Sequence, residues 1–225
     1  MQALSDTLEV AVLPVTPFQQ NCSLLKCRAT GRGAIIDPGG EVPRLAEWIR
    51  SEGVELEKVL LTHGHLDHAS GAAQLARELE VPIEGPQKED LFWLEGLVSQ
   101  AQMYGIEPGE VPAPDRWLEG GDVASFGEIQ LDVRHCPGHT PGHVIFFHEP
   151  SRFAVVGDVL FQGSIGRTDF PRGDYDTLIA SIREQLLPLG DDVTFLPGHG
   201  PTSTLGAERS GNPFLVDPDR YRGMA

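Results

Sequence analysis

The sequence predicts an α/β chain built as two packed halves, and three observations carry the prediction. The pattern rises twice from short apolar strands to an amphipathic helix. No second complete run of strands and helices follows, so 225 residues read as one domain, 1–225, long enough to bury a substantial core. Histidines and aspartates also recur directly after apolar runs, as they would along one rim of a sheet.

Residues 8–13 mix alternation with β-branched side chains and read as a first strand, stopped by Pro14 and Pro17. Residues 21–26 form a second strand, and Thr30-Gly31-Arg32-Gly33 is a turn signal. The short buried strand 34–36 delivers Asp37 into Pro38-Gly39-Gly40. An acid there either orients a metal-bound histidine or only stabilises the turn. Leu45, Trp48 and Ile49 share one helical face in 43–51, and Gly53 is placed to close that helix. Strand 58–62 then feeds the hexad His63-Gly64-His65-Leu66-Asp67-His68. Ala72, Leu75, Ala76 and Leu79 recur at helical spacing, so the hexad is expected in a loop between strand and helix.

Val81-Pro82-Ile83 resumes a strand, and from 86 to about 118 the pattern loosens. One helix around Leu91, Leu94, Leu97 and Val98 precedes a loop with three prolines, an insertion able to cover a site. Phe92, Trp93 and Trp117 read as packing residues. Two hairpins follow, 123–126 with 129–133 and 144–147 with 153–156. Between them, prolines and glycines keep Cys136-Pro137-Gly138-His139-Thr140-Pro141-Gly142-His143 irregular, as suits a loop presenting a side chain. The second hairpin ends at Gly157-Asp158. After the glycine-rich loop 163–170, Leu178, Ile179, Ile182 and Leu186 mark a helix over 175–186. Strand 193–196 runs into Pro197-Gly198-His199-Gly200, and Phe214-Leu215-Val216 is expected to dock an otherwise polar tail.

Composition narrows the function classes. Lys and Arg number 17 against 33 Asp and Glu, a net charge of −16 that disfavours nucleic acid and anionic lipid. Three cysteines without repeated spacing make a disulfide framework unexpected. No apolar run approaches the length of a membrane span, and the N-terminus lacks a secretory pattern. A cytoplasmic protein with reduced thiols is expected.

The chemistry lies in the polar clusters. Imidazole and carboxylate suit divalent ions, zinc first, with iron and manganese also served. Four ligands in one hexad exceed what one tetrahedral ion takes from so short a segment. His139, Asp158 and His199, each in a segment just after a strand, raise the tally to seven. Two ions need about six protein ligands and a shared water, and a carboxylate such as Asp158 can bridge them. His135 and His143 flank the His139 loop and could orient ligands, whereas His148 is expected to be exposed. Arg167 is the best placed cation for a substrate carboxylate, or else an ion-pair partner of Asp169 or Asp174. Cys136 reads as a buried small residue.

His63-x-His65-x-Asp67-His68, His139, Asp158 and His199 together resemble the ligand series of the metallo-β-lactamase superfamily, and within it the glyoxalase II group of hydroxyacylglutathione hydrolases. The resemblance spans nearly the whole chain. It includes His135 through His143, Gly157-Asp158, Gly166-Arg167-Thr168-Asp169-Phe170-Pro171, Leu196-Pro197-Gly198-His199-Gly200, Thr204-Leu205-Gly206 and Asn212-Pro213-Phe214. The last features are similar to the compact bacterial type II form, which lacks the C-terminal helical domain that holds glutathione in the longer form. With 26 residues after His199 (225 − 199), that domain is not expected here.

The resemblance implies a four-layer αβ/βα sandwich of two mixed sheets, with two metal ions at one edge. One ion would take His63, His65 and His139, and the other Asp67, His68 and His199, with Asp158 and a hydroxide bridging them. The implied reaction is hydrolysis of S-lactoylglutathione, a small-molecule glutathione thioester, to D-lactate and glutathione. Its thiolate leaving group, with a reference pKa of about 8.5, needs little help from an acid. A monomer or small homo-oligomer is expected. Rival readings are a one-iron persulfide dioxygenase, whose Gly-Arg-Thr-Asp-Phe loop is similar, and a lactonase of the same superfamily.

Overall fold

The structure, a computed structural model, describes residues 1–222. Two six-stranded mixed sheets face each other. The first contains, in spatial order, β1 (Gln2–Ala3), β2 (Leu8–Val15), β3 (Gln20–Cys27), β4 (Arg32–Ile36), β5 (Glu55–Leu60) and β6 (Ile83–Glu84). In chain order, the second takes β7 (Val123–Phe126), β8 (Ile129–His135), β9 (Val144–His148) and β10 (Phe153–Gly157). A small hairpin, β11 (Leu160–Phe161) with β12 (Ser164–Ile165), interrupts before β13 (Thr194–Pro197) and β14 (Ser203–Thr204) return to that sheet.

Three apolar layers hold the sandwich together. Leu25, Ile36 and Leu60 of the first sheet meet Phe126, Phe146 and Val155 of the second between the sheets. The opposite faces of the same strands, through Leu24 and Ile35, pack on helices α1 (Val42–Ser51), α2 (Leu66–Ala69) and α3 (Ala72–Leu79). Phe147, Ala154 and Phe195 likewise pack against α6 (Tyr175–Ser181), with α4 (Leu91–Glu95) and α5 (Leu97–Tyr104) lying on the first half. Because both faces of each sheet are buried, the central strands read as apolar runs. The expected four-layer αβ/βα sandwich is the fold.

Several local readings need correction. β2 continues through Pro14, which pairs with Asn21. β1 covers β2 only at Val10 and Glu9, so Pro14 faces an open edge that needs no donor. The hexad is not all loop, since Asp67 and His68 sit on α2, a single turn too short to show a period. The expected helix over 91–98 is two helices meeting at Gly96. The helix from Tyr175 widens into a π turn at Ile182–Leu186. In the tail, α7 (Leu205–Gly211), α8 (Pro213–Val216) and α9 (Pro218–Tyr221) form, and Leu215 docks while Val216 is exposed. His148 is buried, its Nδ1 2.7 Å from the Ser151 hydroxyl, because β9 lies inside the sheet between β8 and β10. The three cysteines are buried and unpaired, and no helix among the described residues is long and apolar enough to cross a membrane.

The topology places the chemistry. β4 and β5 run parallel through the crossover helix α1, and β10 and β13 run parallel through α6. β8, antiparallel to β9 as β10 is, points the same way as β10. The carboxyl ends of these strands deliver Asp37, His63, His139, Asp158 and His199 to one rim, where open α/β sheets ordinarily hold ligands.

Candidate metal centre

The rim is closed by contacts between the two sheets. Val144 N–H donates to the Thr62 carbonyl at 2.8 Å, and Asn21 N–H to the Gly198 carbonyl at 2.7 Å. Two glycines permit the close approach that the site requires. A Cβ on Gly39 would overlap the Asp67 carbonyl, and one on Gly198 would overlap Asp158 Oδ1 and the His68 ring. These conditions bring all seven sequence-predicted ligands together.

They form two triads whose ligand atoms lie within 4.8 Å of one another: His63, His65 and His139, then Asp67, His68 and His199. His65 Nδ1 is 3.1 Å from His63 Nε2 and 3.0 Å from His139 Nε2. In the second triad, His199 Nε2 lies 3.1 Å and His68 Nε2 3.8 Å from Asp67 Oδ2. Asp158 stands between the triads. Its Oδ1 is 3.4 Å from His68 Nε2, and its Oδ2 is 3.7 Å from His139 Nε2 and 3.6 Å from His199 Nε2.

Surrounding oxygens set the imidazole tautomers. His139 Nδ1 donates to the Arg167 carbonyl at 2.8 Å, His199 Nδ1 to the Phe18 carbonyl at 3.1 Å, and His68 Nδ1 to Asp37 Oδ2 at 2.8 Å. Asp37 also accepts the Thr62 hydroxyl at 2.6 Å, which leaves the Thr62 oxygen to accept from His63 Nδ1 at 3.0 Å. In its neutral form each of these four rings therefore turns the Nε2 lone pair inward. One proton on His65 Nδ1 can serve only one of its two neighbours. His68 Nε2 and Asp158 Oδ1 are buried and, among the described residues, have no hydrogen-bond partner. Lone pairs converging on a common centre fit a cation in each triad, and the imidazole and carboxylate donors fit a divalent first-row metal.

Burial and neighbouring imidazoles hold His63 and His65 well below the usual histidine range, and burial lowers His139. His68 and His199 move the other way. Burial opposes the shift, but Asp158, Asp67 and Asp37 around His68 outweigh it, as do Asp67 and Asp158 around His199. Burial likewise opposes ionisation of Asp158, yet His68, His139 and His199 hold its carboxyl far below the ordinary range.

The flanking residues sort by contact. Asp37 orients His68 and, through Thr62, His63, so it serves the ligands as well as the turn. His143 stacks on His63 at 4.6 Å and accepts the Asp158 N–H at 3.0 Å. His135 instead binds the Pro141 carbonyl. Burial raises the Cys136 thiol, in keeping with a packing residue. Arg167 pairs with Asp169 through two bonds of 2.6 Å and stacks on Phe170 at 4.0 Å.

A cavity of about 610 Å³ opens over the centre. Trp93 and Phe170 form part of its wall, edge-on to His65 at 4.5 and 5.2 Å, so Trp93 does more than fill the core. Met103, Tyr104 and Arg167 also line it, and Phe18 meets Tyr104 edge-to-face at 5.3 Å. Sequence reasoning missed Asp90, whose buried carboxylate reaches both histidine loops; an aspartate inside an irregular insertion gives no local signal.

Comparison with known proteins agrees with this geometry. The model of the metallo-beta-lactamase superfamily matches residues 15–204. A Haemophilus influenzae protein named hydroxyacylglutathione hydrolase GloC is 48% identical over 209 residues, covering 92% of this chain and 98% of that protein. The crystal structure of BLEG-1 B3 metallo-beta-lactamase superposes with a TM-score of 0.86 at 32% identity, over 92% of this chain and all of that one. TTHA1623, solved in a di-iron-bound form, gives 0.83 at 37% identity, over 91% of this chain and all of that one. Likeness of this extent, in sequence and in fold, reaches every strand end that builds the rim, and the chain belongs to the metallo-beta-lactamase superfamily.

Proposed function

We propose that the chain is a metal-dependent thioester hydrolase that cleaves S-lactoylglutathione to D-lactate and glutathione. The observation that carries this reading is the pair of triads with Asp158 between them, its Oδ1 near His68 of the second triad and its Oδ2 near His139 of the first and His199 of the second. The 48% identity to a protein named hydroxyacylglutathione hydrolase supports the substrate. Two divalent ions, proposed as zinc, supply a water acidic enough to act as nucleophile near neutral pH and positive charge for a developing oxyanion.

The chain's own residues prepare the site for that chemistry. His63, His65 and His139 would hold one ion and Asp67, His68 and His199 the other, and Asp158, which lies between the triads, would serve both. Asp37, Thr62 and the carbonyls of Arg167 and Phe18 fix the imidazole orientations. Trp93 and Phe170 shield His65 from water, so charge interactions on that side act in a low dielectric. Arg167 lies at the cavity wall with its guanidinium partly exposed. A guanidinium has five donors and Asp169 takes two, which supports the proposal that Arg167 also meets a substrate carboxylate.

The test is steady-state hydrolysis of S-lactoylglutathione beside a lactone, a β-lactam and glutathione persulfide, with metal analysis of the same sample. The expected result is thioester cleavage as the dominant activity, with two ions per chain. Oxygen uptake with the persulfide, one iron per chain and no thioester cleavage would replace this reading with the dioxygenase. Faster turnover of the lactone or β-lactam would replace the substrate class alone.

A further inference from the structure

Asp90 closes a short 3-10 turn, Lys88–Asp90, and leads into α4 within the insertion over the site. Its side chain is fully buried and accepts three hydrogen bonds from distant segments. The Gly64 N–H reaches Oδ2 at 2.9 Å, the Thr140 hydroxyl reaches Oδ2 at 2.8 Å, and the Gly142 N–H reaches Oδ1 at 2.6 Å. Gly64 lies between His63 and His65, and Thr140 follows His139. One carboxylate therefore grips both loops that supply the first triad. The same segment holds the second loop again, because the Gln87 N–H donates to the Gly142 carbonyl at 2.9 Å.

We infer that Asp90 is a positioning residue for His63, His65 and His139, holding their two loops in the register that makes three imidazole nitrogens converge. The inference rests on the reading of that triad as an ion site. Burial pushes the Asp90 carboxyl up to about 6 despite the three donors that favour its charged form. An ionised group kept at such a cost needs a geometric return, and a carboxylate alone offers acceptors to all three donors at once. Asparagine presents one oxygen and one NH₂ group, so at least one of the three donors would face another donor. The second triad has no bond to Asp90; its orientation comes from Asp37 and the Phe18 carbonyl. Asp90 should therefore act on one ion and not on the other.

That asymmetry separates a positioning role from a merely structural one. Asp90→Asn is made in two single-site backgrounds: His199→Ala, which leaves the first triad intact, and His63→Ala, which leaves the second. Each metal-depleted protein is titrated with Zn²⁺ against a competing chromophoric chelator. In the His199→Ala background Asp90→Asn is expected to weaken Zn²⁺ binding about 10- to 100-fold, the range for a group that orients metal ligands. In the His63→Ala background the change is expected to stay within about threefold. Equal losses in both backgrounds, or an unchanged affinity at the first triad, would overturn the inference. Thr140→Val removes one donor only, and a smaller loss confined to the His199→Ala background is expected. If Asp90→Asn fails to fold, unchanged Zn²⁺ affinity of Thr140→Val would overturn the inference by itself. Should the parent His199→Ala and His63→Ala proteins bind no Zn²⁺, the metal reading fails instead, and the two failures are distinguishable.

Discussion

His63, His65 and His139 are almost wholly buried and face mainly one another, whereas His68 and His199 face the carboxylates of Asp67 and Asp158, with Asp37 behind His68. Burial keeps the first three imidazoles neutral, and the carboxylates draw protons to the other two. One ligand chemistry thus sits in two electrostatic settings on a single rim. Charge differs in step: the first triad is all imidazole, while the second carries Asp67 and leaves His199 partly exposed. What this teaches is that ligand identity does not set a site's behaviour by itself. The groups behind the ligands decide whether a proton or a metal ion is the easier occupant.

The largest effect is expected where the two settings meet. Asp158→Ala removes the carboxylate that stands between the two triads, so kcat for the thioester should fall by about 10³-fold, at the upper end for loss of one electrostatic group. Metal content should drop with it, as read by metal analysis of the purified variant. Turnover near that of the parent would refute the spanning role of Asp158. A smaller effect, read at the second triad, is expected from Asp37→Asn. That carboxylate accepts from His68 Nδ1, and an amide turned the wrong way would offer a donor instead. Zn²⁺ affinity at the second triad should fall about 10- to 100-fold, measured by chelator competition in His63→Ala protein. An unchanged affinity would show that the Asp37 carboxylate does not position His68.

Much of the rim was legible in the sequence, because ligand residues cluster directly after apolar runs and neighbouring strands end on one rim, whereas the electrostatic contrast was not. Asp37 was visible as a candidate, yet only the 2.8 Å bond to His68 distinguishes an orienting acid from a turn former. Asp90 was invisible, since its bonds span 26, 50 and 52 residues and no local pattern encodes them. His148 was misread for the opposite reason: a polar residue at a strand end looks exposed until neighbouring strands are known to cover it. Trp93 looked like packing and is packing, but its ring edge also faces His65 at the cavity wall. Pattern reports periodicity and composition, and these four residues depend on which distant segments meet.

The pH dependence gives the sharpest reading of the two settings, because it compares slopes and not absolute affinities. The carboxylates that raise His68 and His199 also attract a dication, so the second triad need not bind more weakly at high pH. The proton dependence differs all the same. An imidazole must be neutral to ligate, so binding at a site with raised pKa values weakens as pH falls through those values. Where the pKa values are lowered, the imidazoles are already bare and the affinity stays flat over the same interval. Between pH 7 and 6, Zn²⁺ affinity in His63→Ala protein should therefore fall about tenfold for each imidazole that takes up a proton, while in His199→Ala protein it should change little. Chelator competition at several pH values measures both slopes. Equal slopes would mean that the carboxylates around His68 and His199 do not separate the two sites, and the distinction drawn between the triads would fall.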